Sequence, residues 1–149
     1  MLIRTHLAIA VFAMLLFVQH VNNPLVFVFV ALIATMLPDI DCAFSTLGKS
    51  KWFRFLQFFI DHRGPVHSLT FCLVISFILA FFLPTLVFGF FLGYAIHLFS
   101  DSFTKEGIMP FWPYHKKSSW RLKTGGILES GVFLFFLLVD VFLFIFVIL

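Results

Sequence analysis

Histidine and aspartate side chains of the kinds that bind metal ions recur in this chain beside its hydrophobic segments. Carboxylates and imidazoles are costly in or next to lipid, so residues of these types in such places need a functional reason. Nitrogen and oxygen ligands together suit zinc, manganese or iron, and the candidates outnumber the four ligands of one tetrahedral zinc. We therefore predict a divalent metal site, zinc above all, with one or two ions. The candidate ligands are His6, Asp39, Asp41, His62, His67, His97 and Asp101.

The spacing around His97 favours a site that points into a helix bundle. His97 and Asp101 are four residues apart and so share one helical face. Gly89 and Gly93 extend the same stripe, and small residues at this spacing mark close helix packing. The face that packs most tightly is thus expected to carry the ligands.

Two further pairs of candidate ligands stand at turns. Asp39 and Asp41 end a hydrophobic segment and can present two carboxylates from one turn. Pro65 suits the first turn of a helix, which leaves His62 in the preceding loop and His67 in that first turn. Both histidines can then face one point.

The composition places most of the chain in lipid. It has 149 residues, is 62% hydrophobic with a mean hydropathy of +1.10, and contains 25 phenylalanines. A soluble domain of this length could not bury so much apolar surface. We therefore predict one all-α domain over residues 1–149, an integral membrane bundle of about five transmembrane helices.

Five hydrophobic segments are expected to form these helices. The third and fifth reach the roughly 20 residues that a bilayer span needs, and the others are somewhat short. Residues 44–60 mix basic and aromatic side chains, which predicts an interfacial amphipathic helix. The segments run from about Thr5 to Val21, Pro24 to Leu37, Pro65 to Leu83, Thr85 to Phe99 and Glu129 to Leu149.

The basic residues predict the orientation in the membrane. With five spans, all 10 Lys and Arg residues fall on one side, together with every candidate ligand. The positive-inside rule places that side, including the N-terminus, in the cytoplasm of a multi-pass protein of the inner, cytoplasmic membrane. His20 falls on the opposite side and His115 in a basic loop, and both are interpreted as interfacial residues.

Two acidic residues of the fifth segment each have two possible roles. Glu129 is either a ligand or a favourable charge at a helix N-terminus. Asp140 lies deep in the segment, facing either a neighbouring helix or a second subunit, which leaves a homo-oligomer open.

Groups for phosphoester chemistry accompany the ligands. Asp39 and Asp41 can serve as catalytic carboxylates as well as ligands. Arg63 offers a planar fork for phosphate, acting in catalysis and in substrate binding. Lys123 adds a nearby charge, and Gly125 can present a backbone N–H to an anion.

At these motifs the chain resembles the LexA-regulated, membrane-bound, metal-dependent hydrolases, also called YdjM-like proteins. The resemblance runs from the N-terminus to about residue 130, and that family is similar in ligand order to the zinc-dependent phospholipase C and nuclease fold. It implies a helical fold, hydrolase activity on a phosphoester and the same seven ligands, without naming a substrate. The matching elements are Thr5-His6, LPDID at 37–41, HRGPVHS at 62–68, GYAIH at 93–97 with Asp101, and TKEG at 104–107 leading to FWP at 111–113.

The expected function is that of a membrane-embedded, metal-dependent hydrolase, phospholipase C-like or phosphatase-like. Its substrate would be a phosphoester of a phospholipid or lipid-linked phosphate, cleaved by metal-activated water at the cytoplasmic face, with membrane lipids and no nucleic acid as partners. The main alternative is a non-enzymatic metal-binding protein, a transporter or sensor, although a transporter should place its ligands near the midplane. Metal-dependent ester or amide hydrolysis also stays open, whereas the missing GxSxG motif disfavours a serine hydrolase of that type.

Overall fold

Five α-helices make up most of the computed structural model, which describes residues 1–41 and 65–148, without the side chains of residues 40, 41, 147 and 148. The all-α prediction is confirmed, since the described residues contain no strand and only isolated bridges in the loop between the last two helices. The predicted interfacial helix at 44–60 lies outside the described residues. The helices are α1 (Ile3–Phe17), α2 (Pro24–Met36), α3 (Leu69–Phe82), α4 (Pro84–Ser102) and α5 (Ile127–Ile148), with short 3-10 helices at Val18–His20, Pro38–Asp41 and Pro65–His67.

Three stretches are long and apolar enough to cross a membrane: Ile3–His20, Pro84–Ser102 and Ile127–Phe146. The helices α2 and α3 are shorter and also apolar. At 1.5 Å per residue they reach only about 20 Å, against a hydrocarbon core of about 30 Å. Short helices of this kind suit a protein whose polar site lies at the membrane surface.

The start of the third helix differs from the prediction. The sequence pattern placed it at Pro65, whereas Pro65–His67 form a 3-10 turn and α3 begins only at Leu69. The Ser68 hydroxyl accepts a hydrogen bond from the Phe71 N–H at 3.1 Å, which caps the helix there. The third helix is therefore shorter than predicted. The helix α4 continues beyond the apolar segment that ends at Phe99 and includes Asp101, as the predicted shared face of His97 and Asp101 requires.

The seam between α2 and α4 is the tightest helix contact around the site. A Cβ atom on Gly93 would lie 2.2 Å from the Ala31 carbonyl oxygen, and one on Gly89 would lie 2.9 Å from the Phe27 carbonyl oxygen. Only glycine allows the two backbones to approach this closely. The predicted small-residue stripe is thus confirmed as a packing surface.

The helix α5 packs against α1 and runs in the same direction. The Leu2 N–H donates to Glu129 near the start of both helices, and the rings of Phe12 and Phe136 meet edge to face at 5.3 Å further along. Most other large side chains of α5 are exposed, as expected for a helix that faces lipid.

Candidate metal centre

Five of the predicted ligands converge at one end of the bundle. They come from the first turn of α1, the turn after α2, the turn before α3 and the last turns of α4. Of the remaining candidates, His62 and Arg63 lie outside the described residues, and the Asp41 side chain is not described either. Their roles stay predictions. The converging residues are His6, Asp39, His67, His97 and Asp101.

The carboxylate of Asp101 stands between the histidines. Its Oδ1 lies 3.2 Å from His6 Nε2, and its Oδ2 lies 3.7 Å from both His67 Nε2 and His97 Nε2. The amino group of Met1 also donates to Oδ1 at 2.6 Å. Asp101 is buried, so this negative charge depends on positive or donor groups around it.

The ring of His97 is oriented by a backbone carbonyl. Its Nδ1 lies 2.7 Å from the Thr35 oxygen, which can only accept a hydrogen bond. Neutral His97 therefore carries its proton on Nδ1 and its lone pair on Nε2, the arrangement seen in histidines that bind metals. The buried Nε2 has no hydrogen-bond partner and lies 3.7 Å from the carboxylates of Asp39 and Asp101.

These distances fit a metal ion better than a proton. A separation of 3.7 Å between Nε2 and each carboxylate oxygen is too long for a hydrogen bond. Ligand atoms bound to one tetrahedral zinc at about 2.0–2.2 Å lie roughly 3.3–3.6 Å from each other. A lone pair facing two carboxylates across this gap is unfavourable unless a cation lies between them.

His6 completes the donor set from the other side. Its ring stacks on His97 with centroids 4.0 Å apart and planes 8° from parallel. Both ring nitrogens of His6 are buried, and Nδ1 lacks a hydrogen-bond partner, while Nε2 faces Asp101 Oδ1 at 3.2 Å. Either of two overlapping groups could hold an ion, with one ligand atom per residue and all atoms of a group within 4.8 Å of one another. These groups are His6, His97 and Asp101, and Asp39, His67 and His97.

Asp39 is the least buried of the five, and its protonation responds to the site. Burial raises the pKa of its carboxyl, while the nearby His6 and His67 oppose that shift. A metal must displace any proton that Asp39 binds, so metal affinity is expected to fall as the pH falls.

Glu129 holds the N-terminal turn of α1. The carboxylate is fully buried and accepts hydrogen bonds from the Leu2 N–H, the Thr5 hydroxyl and the Gly125 N–H. It belongs to neither metal-capable group. Of the two interpretations left open by the sequence, the geometry favours a structural role, here at the start of α1 beside His6.

Replacing Glu129 with alanine is expected to lower the free energy of unfolding by about 3 kcal/mol, because three donors, of which the Thr5 hydroxyl is buried, lose a charged acceptor. Metal affinity should weaken by about 10- to 100-fold through the displaced His6, while saturating metal still fills the site. Metal titration and thermal unfolding of Glu129→Ala, with Glu106→Ala in the exposed loop as control, measure both effects. Loss of all binding at saturation would make Glu129 a ligand instead.

Two positioning residues received no role from the sequence. Thr35 orients His97 through its carbonyl, and the Tyr94 hydroxyl donates to the Val66 carbonyl at 2.5 Å, which fixes the turn that carries His67. For Tyr94 the available signal was a polar residue within the apolar helix α4, whereas Thr35 acts through its backbone and its residue type carried no signal.

The predicted substrate groups have weaker support. The Gly125 N–H is already taken up by Glu129, so it is not free for an anion in this structure. Lys123 is exposed in the loop before α5, and its role stays a prediction. His20 and His115 are both exposed, and neither belongs to a metal-capable group. Asp140 is 8% exposed on a helix that packs against α1, which favours a neighbouring helix over a second subunit.

Comparison with known proteins identifies a family. The model of the YdjM inner membrane protein family matches residues 1–148. No curated protein and no solved structure matches the chain.

Proposed function

Because the chain belongs to the YdjM inner membrane protein family, we propose that it is a metal-dependent hydrolase of that membrane. The proposed substrate is a phosphoester of a phospholipid or of a lipid-linked phosphate. The site lies at helix ends rather than within the apolar midplane, so a headgroup can reach it without crossing the hydrocarbon core.

The observation that carries this proposal is the environment of His97 Nε2. Its proton is directed to the other ring nitrogen by Thr35, yet the remaining lone pair faces two carboxylates at 3.7 Å. A metal ion satisfies these atoms together. A purely structural polar cluster would pair each acceptor with a donor.

The described residues would have different roles in the proposed reaction. A divalent metal held by the five converging residues would supply Lewis-acid chemistry, which makes water more acidic and neutralises charge on a phosphoryl oxygen. Asp39, whose pKa is raised by burial, is suited to accept a proton from the attacking water. Thr35 and Tyr94 hold the histidine-bearing elements in place. The sequence adds Arg63 for phosphate binding and Asp41 as a second carboxylate.

The number of ions follows from how the ligands are shared. With Nδ1 engaged by Thr35, His97 offers a single nitrogen and can serve only one ion at a time. Asp101 turns Oδ1 toward His6 and Oδ2 toward His67 and His97, so its carboxylate would help to hold more than one ion. We therefore propose a two-metal site, with Asp41 and His62 as the further ligands expected from the sequence.

The basic loops support a cytoplasmic site. All Lys and Arg residues of the described part lie at or beyond the helix ends that carry the ligands, and the positive-inside rule places such ends in the cytoplasm. They are Arg4, Lys105, Lys116, Lys117, Arg121 and Lys123.

The proposal is tested by assaying the purified full chain. We expect it to release a phosphorylated headgroup or inorganic phosphate from anionic phospholipid or lipid-phosphate micelles when supplied with zinc, manganese or magnesium. A chelator should abolish this activity and the metal should restore it. An inactive protein that binds metal stoichiometrically would contradict hydrolysis and favour a sensor or transporter.

A further inference from the structure

An apolar groove lies on the face of α4 that points away from the metal centre. Its volume is about 450 Å³, within the range of ligand-binding pockets. Ala95 and Phe99 line it, and each is two residues from His97, about 200° around the helix. Ile108 and Pro110 of the loop between α4 and α5 cover one side, and the lining contains only two serines among apolar residues.

The loop that covers the groove is firmly held. The Pro110 carbonyl accepts hydrogen bonds from the Leu69 N–H at 2.8 Å and the Thr70 N–H at 3.3 Å, which ties the loop to the start of α3. Ile108 and Ser118 exchange two backbone hydrogen bonds, at 2.9 and 2.8 Å. The groove is therefore built into the fold, because the loop segments that cover it are hydrogen-bonded to each other and to the start of a helix.

The groove has the length of one membrane leaflet. Its α4 lining extends from Leu92 to Ser102, the last residue of the helix. At 1.5 Å per residue these positions are about 15 Å apart, half of the roughly 30 Å hydrocarbon core. Since α4 is apolar and long enough to span the membrane, the groove runs from the membrane surface to near the midplane.

Positive charge stands at the surface end of the groove. Lys116 and Lys117 are exposed and directly precede Ser118, which lines the groove. Residues 103–123 contain five Lys or Arg residues and one acidic residue, Glu106. Lysines near the membrane surface attract anionic headgroups by about 1 kcal/mol each.

We propose that this groove binds one acyl chain of an anionic phospholipid, whose phosphate lies against Lys116 and Lys117. The apolar lining matches the chain, the depth matches one leaflet, and the basic end matches the headgroup. This lipid is separate from the substrate, because the groove and the metal centre lie on opposite faces of α4. The proposal does not depend on hydrolase activity.

The test is native mass spectrometry of the full chain, released from detergent micelles that contain dioleoyl-phosphatidylglycerol or dioleoyl-phosphatidylcholine. We expect one tightly held phosphatidylglycerol per chain. Ala95→Trp fills the groove and should remove that lipid. The matched control Leu134→Trp adds the same side chain to an exposed position of α5 and should retain it. Equal lipid retention by the two tryptophan variants would overturn the proposal that the groove binds the lipid.

A second variant tests whether the lysines bind the headgroup, and it leaves the packed lining of the groove unchanged. The double substitution Lys116→Gln, Lys117→Gln changes exposed side chains only. It should weaken phosphatidylglycerol binding roughly 30-fold, from about 1 kcal/mol per lysine, and leave phosphatidylcholine binding unchanged. If Ala95→Trp fails to fold, as judged by circular dichroism, this variant decides: an unchanged preference for phosphatidylglycerol overturns the proposal. Metal content and hydrolysis, measured in parallel, report separately on the metal centre.

Discussion

We expect His97→Ala to weaken metal binding by at least about 100-fold, which exceeds the usual cost of losing an outer-shell partner. His97 is shared by both metal-capable groups, so its removal takes a nitrogen from each. Its loss also leaves the Thr35 carbonyl without its partner. Hydrolysis, if it is metal-dependent as proposed, should fall with the metal content. The measurement is elemental analysis of purified protein after dialysis against a metal buffer.

The matched control for this prediction is His115→Ala, which removes an exposed histidine from the loop between α4 and α5. It should retain the wild-type metal content. A chelator should lower the unfolding temperature of the wild type and of this control, because an ion at 100 times its dissociation constant contributes about 2.7 kcal/mol. It should have little effect on His97→Ala. Full metal content in His97→Ala would refute its assignment as a ligand.

We expect Gly93→Ala to destabilise the protein more than other single-methyl additions in the bundle. The new Cβ atom would lie 2.2 Å from the Ala31 carbonyl oxygen and 3.0 Å from Thr35 Oγ1. The first of these is backbone and cannot rotate away, so α2 and α4 must separate. Overpacking of this kind costs about 1–3 kcal/mol. The free energy of unfolding in mixed micelles measures it.

The same substitution should also weaken metal binding. Thr35 lies on α2 opposite Gly93 and orients His97, so a shift between the two helices moves the Nε2 atom from its place beside Asp101. The control is Gly131→Ala in α5, where an added Cβ meets nothing within 4 Å. That variant should be neutral or more stable by up to about 1 kcal/mol. Equal stability of the two variants would contradict the close seam.

The sequence predicted the helical class and the order of the elements correctly, because hydrophobic segments of this length leave few alternatives. It also predicted which glycines lie in the tight seam, since their four-residue spacing places them on one face with His97. The start of the third helix was predicted wrongly. Pro65 suits a helix start in general. The Ser68 side chain, however, caps the backbone three residues later and sets the start of the helix there, and this second start signal was overlooked.

The roles of Thr35, Tyr94 and Glu129 could not be predicted from residue types and their spacing in the sequence. Thr35 acts through a backbone carbonyl, a group that every residue possesses, so its residue type carried no signal. Tyr94 reaches Val66 across 28 positions of the chain. Glu129 reaches Leu2 across 127 positions. Contacts between such distant residues depend on how helices pack and cannot be obtained from local periodicity.

Residue types and their spacing by themselves determined that this is a helical membrane protein with imidazoles and carboxylates at one layer of helix ends. Burying charge is costly and basic residues favour one side of a membrane, and these rules act on the sequence directly. Only the tertiary structure decided that Asp101 stands between three histidines, that His97 turns its lone pair toward two carboxylates, and that Glu129 supports α1. Those outcomes depend on the approach of α2 and α4 and on the packing of α5 against α1, which bring together groups that are distant in the chain.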